Sequence, residues 1–148
     1  MCNAEAVRNN HARYFIALKR SNSANKAVVF AALVAAGITS VEIQFNGESE
    51  HRGLSELDPY RNGTLIELPE IEIALEVPSR RHEHSTSKQF RLSEAIECLC
   101  YGLLDEVHYG WDADDGAYGR FIFDMAHRTI ALEFHKWHFY TTDCTHQF

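Results

Sequence analysis

The sequence predicts an α+β fold, a two-layer sandwich in which a mainly antiparallel sheet carries helices packed on one face. Three observations point to it. Two stretches, 24–36 and 93–108, repeat apolar residues at helical spacing. Others, around 38–45, 71–77, 121–123 and 130–134, alternate apolar with polar residues, as half-buried strands do. A short connection at 124–128 joins the last two strands of this group, and short connections favour antiparallel neighbours. The 148 residues suit one domain, so 1–148 is expected to form a single α+β unit around one core.

Residues 1–20 read as a helix with Tyr14, Phe15 and Leu18 on its apolar side. A second helix over 24–36 has Asn22 or Ser23 as its cap and Ala27, Phe30, Ala31 and Val34 on one face. Gly37 is its natural left-handed stop. In the strand that follows, Val41, Ile43 and Phe45 alternate with Glu42 and Gln44. Asn46-Gly47 signals a turn, and 46–63 reads as a long polar connection in which Asn62-Gly63-Thr64 is another turn. A short strand is expected within 65–68. Ile71, Ile73, Leu75 and Val77 then alternate with Glu70, Glu72, Ala74 and Glu76 until Pro78 ends the strand.

Residues 79–88 read as a polar loop. Ser93 caps the helix over 93–108, whose core stripe is Ile96, Leu99, Leu103 and Val107, flanked by Cys100 and Leu104. A loop over 110–119 leads to a strand with Phe121 and Phe123 on one side. A hairpin at 124–128 leads to Ile130, Leu132 and Phe134. Trp137 and Phe139 then fall on the opposite parity, which predicts a bulge or bend near His135-Lys136. The tail over 140–148 forms a last strand or packs loosely.

Composition narrows the function classes. The net charge is −7 and the longest basic cluster is Arg80-Arg81-His82, so direct nucleic-acid binding is disfavoured and a basic partner favoured. The first ten residues are polar and no apolar run approaches the ~20 residues that span a bilayer. A cytoplasmic protein with reduced thiols and no membrane contact is expected.

Nine histidines and four cysteines invite a metal site, but the spacings do not build one. Cys98 and Cys100 point about 200° apart on a helix. His135 and His138 fall on opposite faces of a strand, and His82 and His84 sit in a polar loop. The segment Asp112-Ala113-Asp114-Asp115-Gly116 has the carboxylates of a calcium loop. Its glycine comes too early, however, and Phe123 stands where the final glutamate belongs. No cofactor is expected. Cys144 and His146, with Asp143 beside them, share a face of an extended tail as a nucleophile and base would, and Asp124 and His127 can meet across a turn. Neither pair has the surroundings of a known catalytic motif.

Two surfaces are left as candidates for binding a partner. Glu42, Glu70, Glu72, Glu76 and Glu133 all oppose the apolar residues of their strands and would gather on one open face if those strands are neighbours. Trp111 and Tyr118 flank the acidic loop of Asp112, Asp114 and Asp115, either as anchors in the core or as exposed contacts.

The run 92–105, then Gly110-Trp111, Asp115-Gly116-Ala117-Tyr118-Gly119, 121–124 and 130–132, together with Asn25-Lys26-Ala27 and Ala36-Gly37-Ile38-Thr39, resembles a family of uncharacterised small proteins. Members are encoded near plasmid and mobile-element genes in bacteria. The resemblance covers about two thirds of the chain and leaves 46–90 unmatched. It implies an accessory protein of a mobile element and carries over no catalytic residue. The function expected from charge and resemblance together is non-enzymatic binding of a macromolecule. Such a protein would be an acidic inhibitor of a nucleic-acid-binding host-defence effector, of the anti-CRISPR or anti-restriction type. A small metal-dependent or Cys/His enzyme, and a structural subunit that forms a homodimer, are the alternatives.

Overall fold

The computed structural model describes residues 3–46, 53–78, 85–111, 116–136 and 142–148. Its first element, α1 (Asn3–Ala35), is one helix where the sequence predicts two. Asn22 and Ser23, read as a cap, lie inside it. The buried stripe also differs from the one expected. It runs Leu18, Asn22, Asn25, Val29 and Leu33, with Phe30 beside it, whereas Ala27 and Ala31 are exposed and Val34 is 59% exposed. An alanine-rich face looks apolar in the sequence. Two asparagines take the buried positions because each finds tertiary hydrogen bonds that satisfy its amide.

The elements that follow are β1 (Ser40–Asn46), β2 (Gly53–Arg61), β3 (Thr64–Leu65), β4 (Glu72–Val77), β5 (Thr86–Arg91), α2 (Leu92–Val107), β6 (Ala117–Asp124), β7 (Thr129–Lys136) and β8 (Thr142–Gln147). The class is α+β with antiparallel pairing throughout, as predicted. The chain divides into two compact units: Met1–Val29 with Glu70–Val107, and Phe30–Pro69 with His108–Phe148.

In the first unit, β4 and β5 form a two-stranded sheet, and α2 packs against both strands. α2 buries Leu92, Ala95, Ile96, Leu99, Cys100, Leu103 and Leu104, the stripe that its periodicity predicts except that Val107 is only partly buried and the buried face gains a turn towards the N-terminus. The amide of Leu92 donates to the carbonyl of Ile71, fastening the start of α2 to the residue before β4. The first half of β5 lies in the segment 79–88 that reads as a loop, and the sequence assigns no element to 89–91. The residues of β5 are nearly all exposed, so it has little apolar alternation to reveal it. Its pairing with β4 holds it.

In the second unit, six strands run in the order β3-β2-β1-β6-β7-β8. Val41, Ile43, Phe45, Phe121, Phe123, Ile130, Leu132 and Phe134 are buried, and the registers Val41↔Phe123↔Ile130 and Ile43↔Phe121↔Leu132 place them on one face. Phe30, in the last turns of α1, meets Phe123 there with ring centroids 5.7 Å apart. Gly119 lies between Phe45 and Phe134 in the ladder, and a Cβ there would run into the Glu133 carbonyl and the Phe45 ring. The two phenylalanine rings stack 6.2 Å apart on the inner face that this glycine leaves open.

β2 corrects the reading of 46–63 as a connection. Pro59 and the charges of GLSELDPYR hide a strand of nine residues. The proline is tolerated because its carbonyl accepts from Ile66 on the side away from β1, so the missing N–H points the same way and the β1 ladder stays intact. The expected turn at Asn62-Gly63 is present, with φ of 48° and 82°, the positive pair a two-residue type I′ hairpin needs. Gly37 ends α1 at φ 76°, as predicted. The Arg61 guanidinium caps that end, donating to the carbonyls of Ala36 at 2.8 Å and Gly37 at 3.2 Å.

No bulge falls at His135 or Lys136 themselves, and the residues just beyond them lie outside the described ones. The ladder is regular through Tyr118↔His135 and Ala117↔Lys136, and Trp137 and Phe139, which suggested it, lie outside the described residues. The irregularity falls instead in the β1–β2 ladder, between Gln44 and Phe45, opposite Ser55. The turn expected at Asn46-Gly47 also runs into residues outside the described ones. No described helix is long and apolar enough to cross a membrane.

Candidate interaction face and histidine cluster

Opposite the buried face of the six-stranded sheet, the odd–even alternation of each strand presents a polar surface. Its rows follow from the registers. Asp58, Glu42, Ile122, Ala131 and Gln147 form one row, and Glu56, Gln44, Arg120, Glu133 and Thr145 the next. Tyr118, His135 and Asp143 continue a third. The five glutamates predicted to gather are therefore divided. Glu42 and Glu133 belong to this surface, while Glu72 and Glu76 lie on the β4–β5 hairpin and Glu70 just before it. Glu56 and Asp58 complete the face; no apolar alternation in 46–63 marks them as outward in the sequence.

Asp58 stands directly opposite Glu42, a like-charge pair across neighbouring strands. The single arginine or lysine at the described open-face positions of this sheet is Arg120. It is already engaged, gripping Glu133 through both Nε and Nη2. That fork, with the attraction of Glu133 and Glu42, holds the Arg120 guanidinium above its ordinary value and draws Glu133 below its own. At the margin, partial desolvation and then the fields of Asp58, Glu42 and Glu56 hold the Tyr60 phenol above the usual tyrosine range.

His135 Nδ1 pairs with the Asp143 carboxylate at 2.6 Å, and Tyr118 stacks on its ring at 4.9 Å. Tyr118 is thus on the open face, half-buried. Trp111 is not. It is 6% exposed and set edge-on against Phe45 at 5.7 Å, so it anchors the chain in the core. Asp112, Asp114 and Asp115 lie outside the described residues, as do His82, His84 and His138.

On the inner face, β8 presents Cys144 and His146 beside each other, opposite Phe134 and Leu132. The Cys–His–Asp combination of the tail is not assembled, because Asp143 points to the other face and is held by His135. His146 meets His108 instead, Nε2 to Nε2 at 2.7 Å. Asp124 and His127 meet as expected, through a side-chain pair at 2.8 Å and the His127 amide, which is a turn-closing arrangement. Among the described residues no three His, Cys, Asp or Glu side chains come together as a metal site would require.

A family described as a family of unknown function, DUF6878, matches residues 21–148. No curated protein and no solved structure matches the chain.

Proposed function

From the premise that the chain belongs to the DUF6878 family, a family of unknown function, we propose that it is a non-enzymatic binding protein. The open face of its six-stranded sheet, centred on Glu42, Glu56 and Asp58, would receive a basic macromolecular surface. The observation that carries this reading is the Asp58–Glu42 pair. Like charges directly opposite in a ladder weaken a sheet, and a sequence selected for stability alone would alternate signs there. A partner's arginines or lysines relieve that repulsion on binding. Carboxylates on strands about 4.8 Å apart offer such side chains several acceptors at once.

The net charge of −7 steers the same class of partner and repels nucleic acid. A protein whose own ligand is nucleic acid has the complementary surface. Occupying that surface would make this chain its inhibitor, the role that an accessory of a mobile element, acting against host defence, would play. The test is capture of partners from cell lysate by the wild-type chain and by Glu42→Gln/Glu56→Gln/Asp58→Asn, with Glu72→Gln/Glu76→Gln as the control. A nucleic-acid-binding protein that is retained by the wild type and the control, lost with the triple variant and displaced by DNA or RNA supports the proposal. Partners that the triple variant retains would overturn it.

A further inference from the structure

His108 is the first residue after α2, and its ring lies flat on Phe134 of β7, centroids 3.7 Å apart and 4° from parallel. That stack aims its Nε2 at the Nε2 of His146, 2.7 Å away on β8. At this distance one nitrogen donates its proton and the other must offer a lone pair, so at least one ring is neutral. Two imidazolium rings would set N–H against N–H and could not stay. We propose that this pair is a pH-sensitive latch, which holds the edge strand β8 in place while it shares one proton and lets it loosen when both rings charge.

The surroundings favour that behaviour. Lys136 of β7 adds a second positive field on His108, and β8 contributes the Cys144 thiol and, near His146, the Phe148 ring. Among the described residues no carboxylate pairs with either ring to compensate a second charge, since Asp143 is taken by His135 on the opposite face. Burial first, then His146, then Lys136 push the His108 imidazole below its ordinary 6.5. β8 is the outermost strand of its sheet and is bonded among the described strands to β7 alone. Its last bonds are the reciprocal pair between Phe148 and Ile130. An edge element with one neighbour is the part of a sheet that opens at the lowest free energy.

The sign follows from proton linkage. A histidine with a depressed folded value binds its proton more readily when unfolded or released, so the latch is fully closed above about 6.5 and weakens as pH falls below it. The experiment is an NMR titration of the ring nitrogens from pH 8 to 5, with amide exchange of β8 measured at both ends and corrected for the intrinsic rate. The expected result is that the two rings titrate as a coupled pair, and that protection of residues 142–148 drops at low pH while β1 and β6 keep theirs. His146→Gln should abolish the pH dependence, and His108→Gln serves the same purpose should that variant not fold. Rings that charge independently near 6.5, or β8 protection that is the same at both pH values, would overturn the proposal.

Discussion

The side-chain amide of Asn25 bonds to both polar backbone groups of Glu76, donating to its carbonyl at 2.9 Å and accepting from its N–H at 2.8 Å. A residue in a two-stranded sheet lacks a neighbour on one side, and here a helix side chain supplies it. Asn25→Ala would leave a part-buried N–H and C=O without partners, at a cost on the order of 2–4 kcal/mol. Asn25→Asp keeps the acceptor but sets a carboxylate against a carbonyl, and it should also destabilise. Urea unfolding of both variants checks this, and a shift in Asn25→Ala below about 0.5 kcal/mol would show that the pair contributes nothing net.

Asn22 sets a second contact of the same kind. Its Nδ2 donates to the Gly102 carbonyl at 2.9 Å and to Glu106 at 3.1 Å. A Cβ on Gly102 would overlap its Oδ1. Alanine is the better helix former by about 1 kcal/mol, so an unhindered Gly102→Ala would stabilise α2. The close approach reverses that sign, and a loss of about 1–3 kcal/mol is expected. Adding Asn22→Ala should recover part of it, a non-additivity that a double-mutant cycle measures.

Much of the fold was legible where a single periodicity ruled. The stripe of α2, the alternation of Val41–Phe45 and of Ile130–Phe134, the stop at Gly37 and the turn at Asn62-Gly63 all depend on local chemistry. What stayed hidden depends on partners distant in sequence. Asn22 reads as a polar cap residue and Asn25 carries no signal of its own, because their bonds reach across 80 and 51 positions. Among the described side chains β2 and β5 carry few buried apolar residues, and their pairing with β1 and β4 holds them as strands. The candidate face was half legible for the same reason. Alternation marks Glu42 and Glu133 as outward, but only the strand order separates them from Glu72 and Glu76 and adds Glu56 and Asp58.

The Arg120–Glu133 fork predicts a small acid dependence. The bonds from Arg120 hold Glu133 below its ordinary 4.5, against a partial desolvation that pulls the other way. A depressed carboxylate stabilises fully above its unfolded value and loses that contribution as pH falls through the folded one. Both side chains are well exposed, at 44% and 37%, so the pair is worth at most about 1 kcal/mol and less in salt. Glu133→Gln should flatten the stability profile below pH ~4.5 and leave it unchanged at neutral pH beyond that amount. A profile as steep as the wild type would show that other carboxylates dominate.

The two cysteines of α2 should differ from a free thiol by different amounts. Set two residues apart on the helix, they face different ways: Cys100 is fully buried and Cys98 only partly so. Burial first, then the charge of Glu97 and the neighbouring thiol of Cys98, raises Cys100 well above its ordinary 9.0. Burial also raises Cys98, with Lys88 opposing it. The thiolate is the reactive form, so native protein treated with iodoacetamide at pH 8 should label Cys98 slowly and Cys100 not at all. In denaturant both should label at the rate of a free thiol, which peptide mass spectrometry resolves site by site. Cys100 labelling in the native state as fast as Cys98 would mean that α2 opens locally on the timescale of the reaction, and that the packing of Leu99, Leu103 and Leu104 around it is looser than their burial indicates.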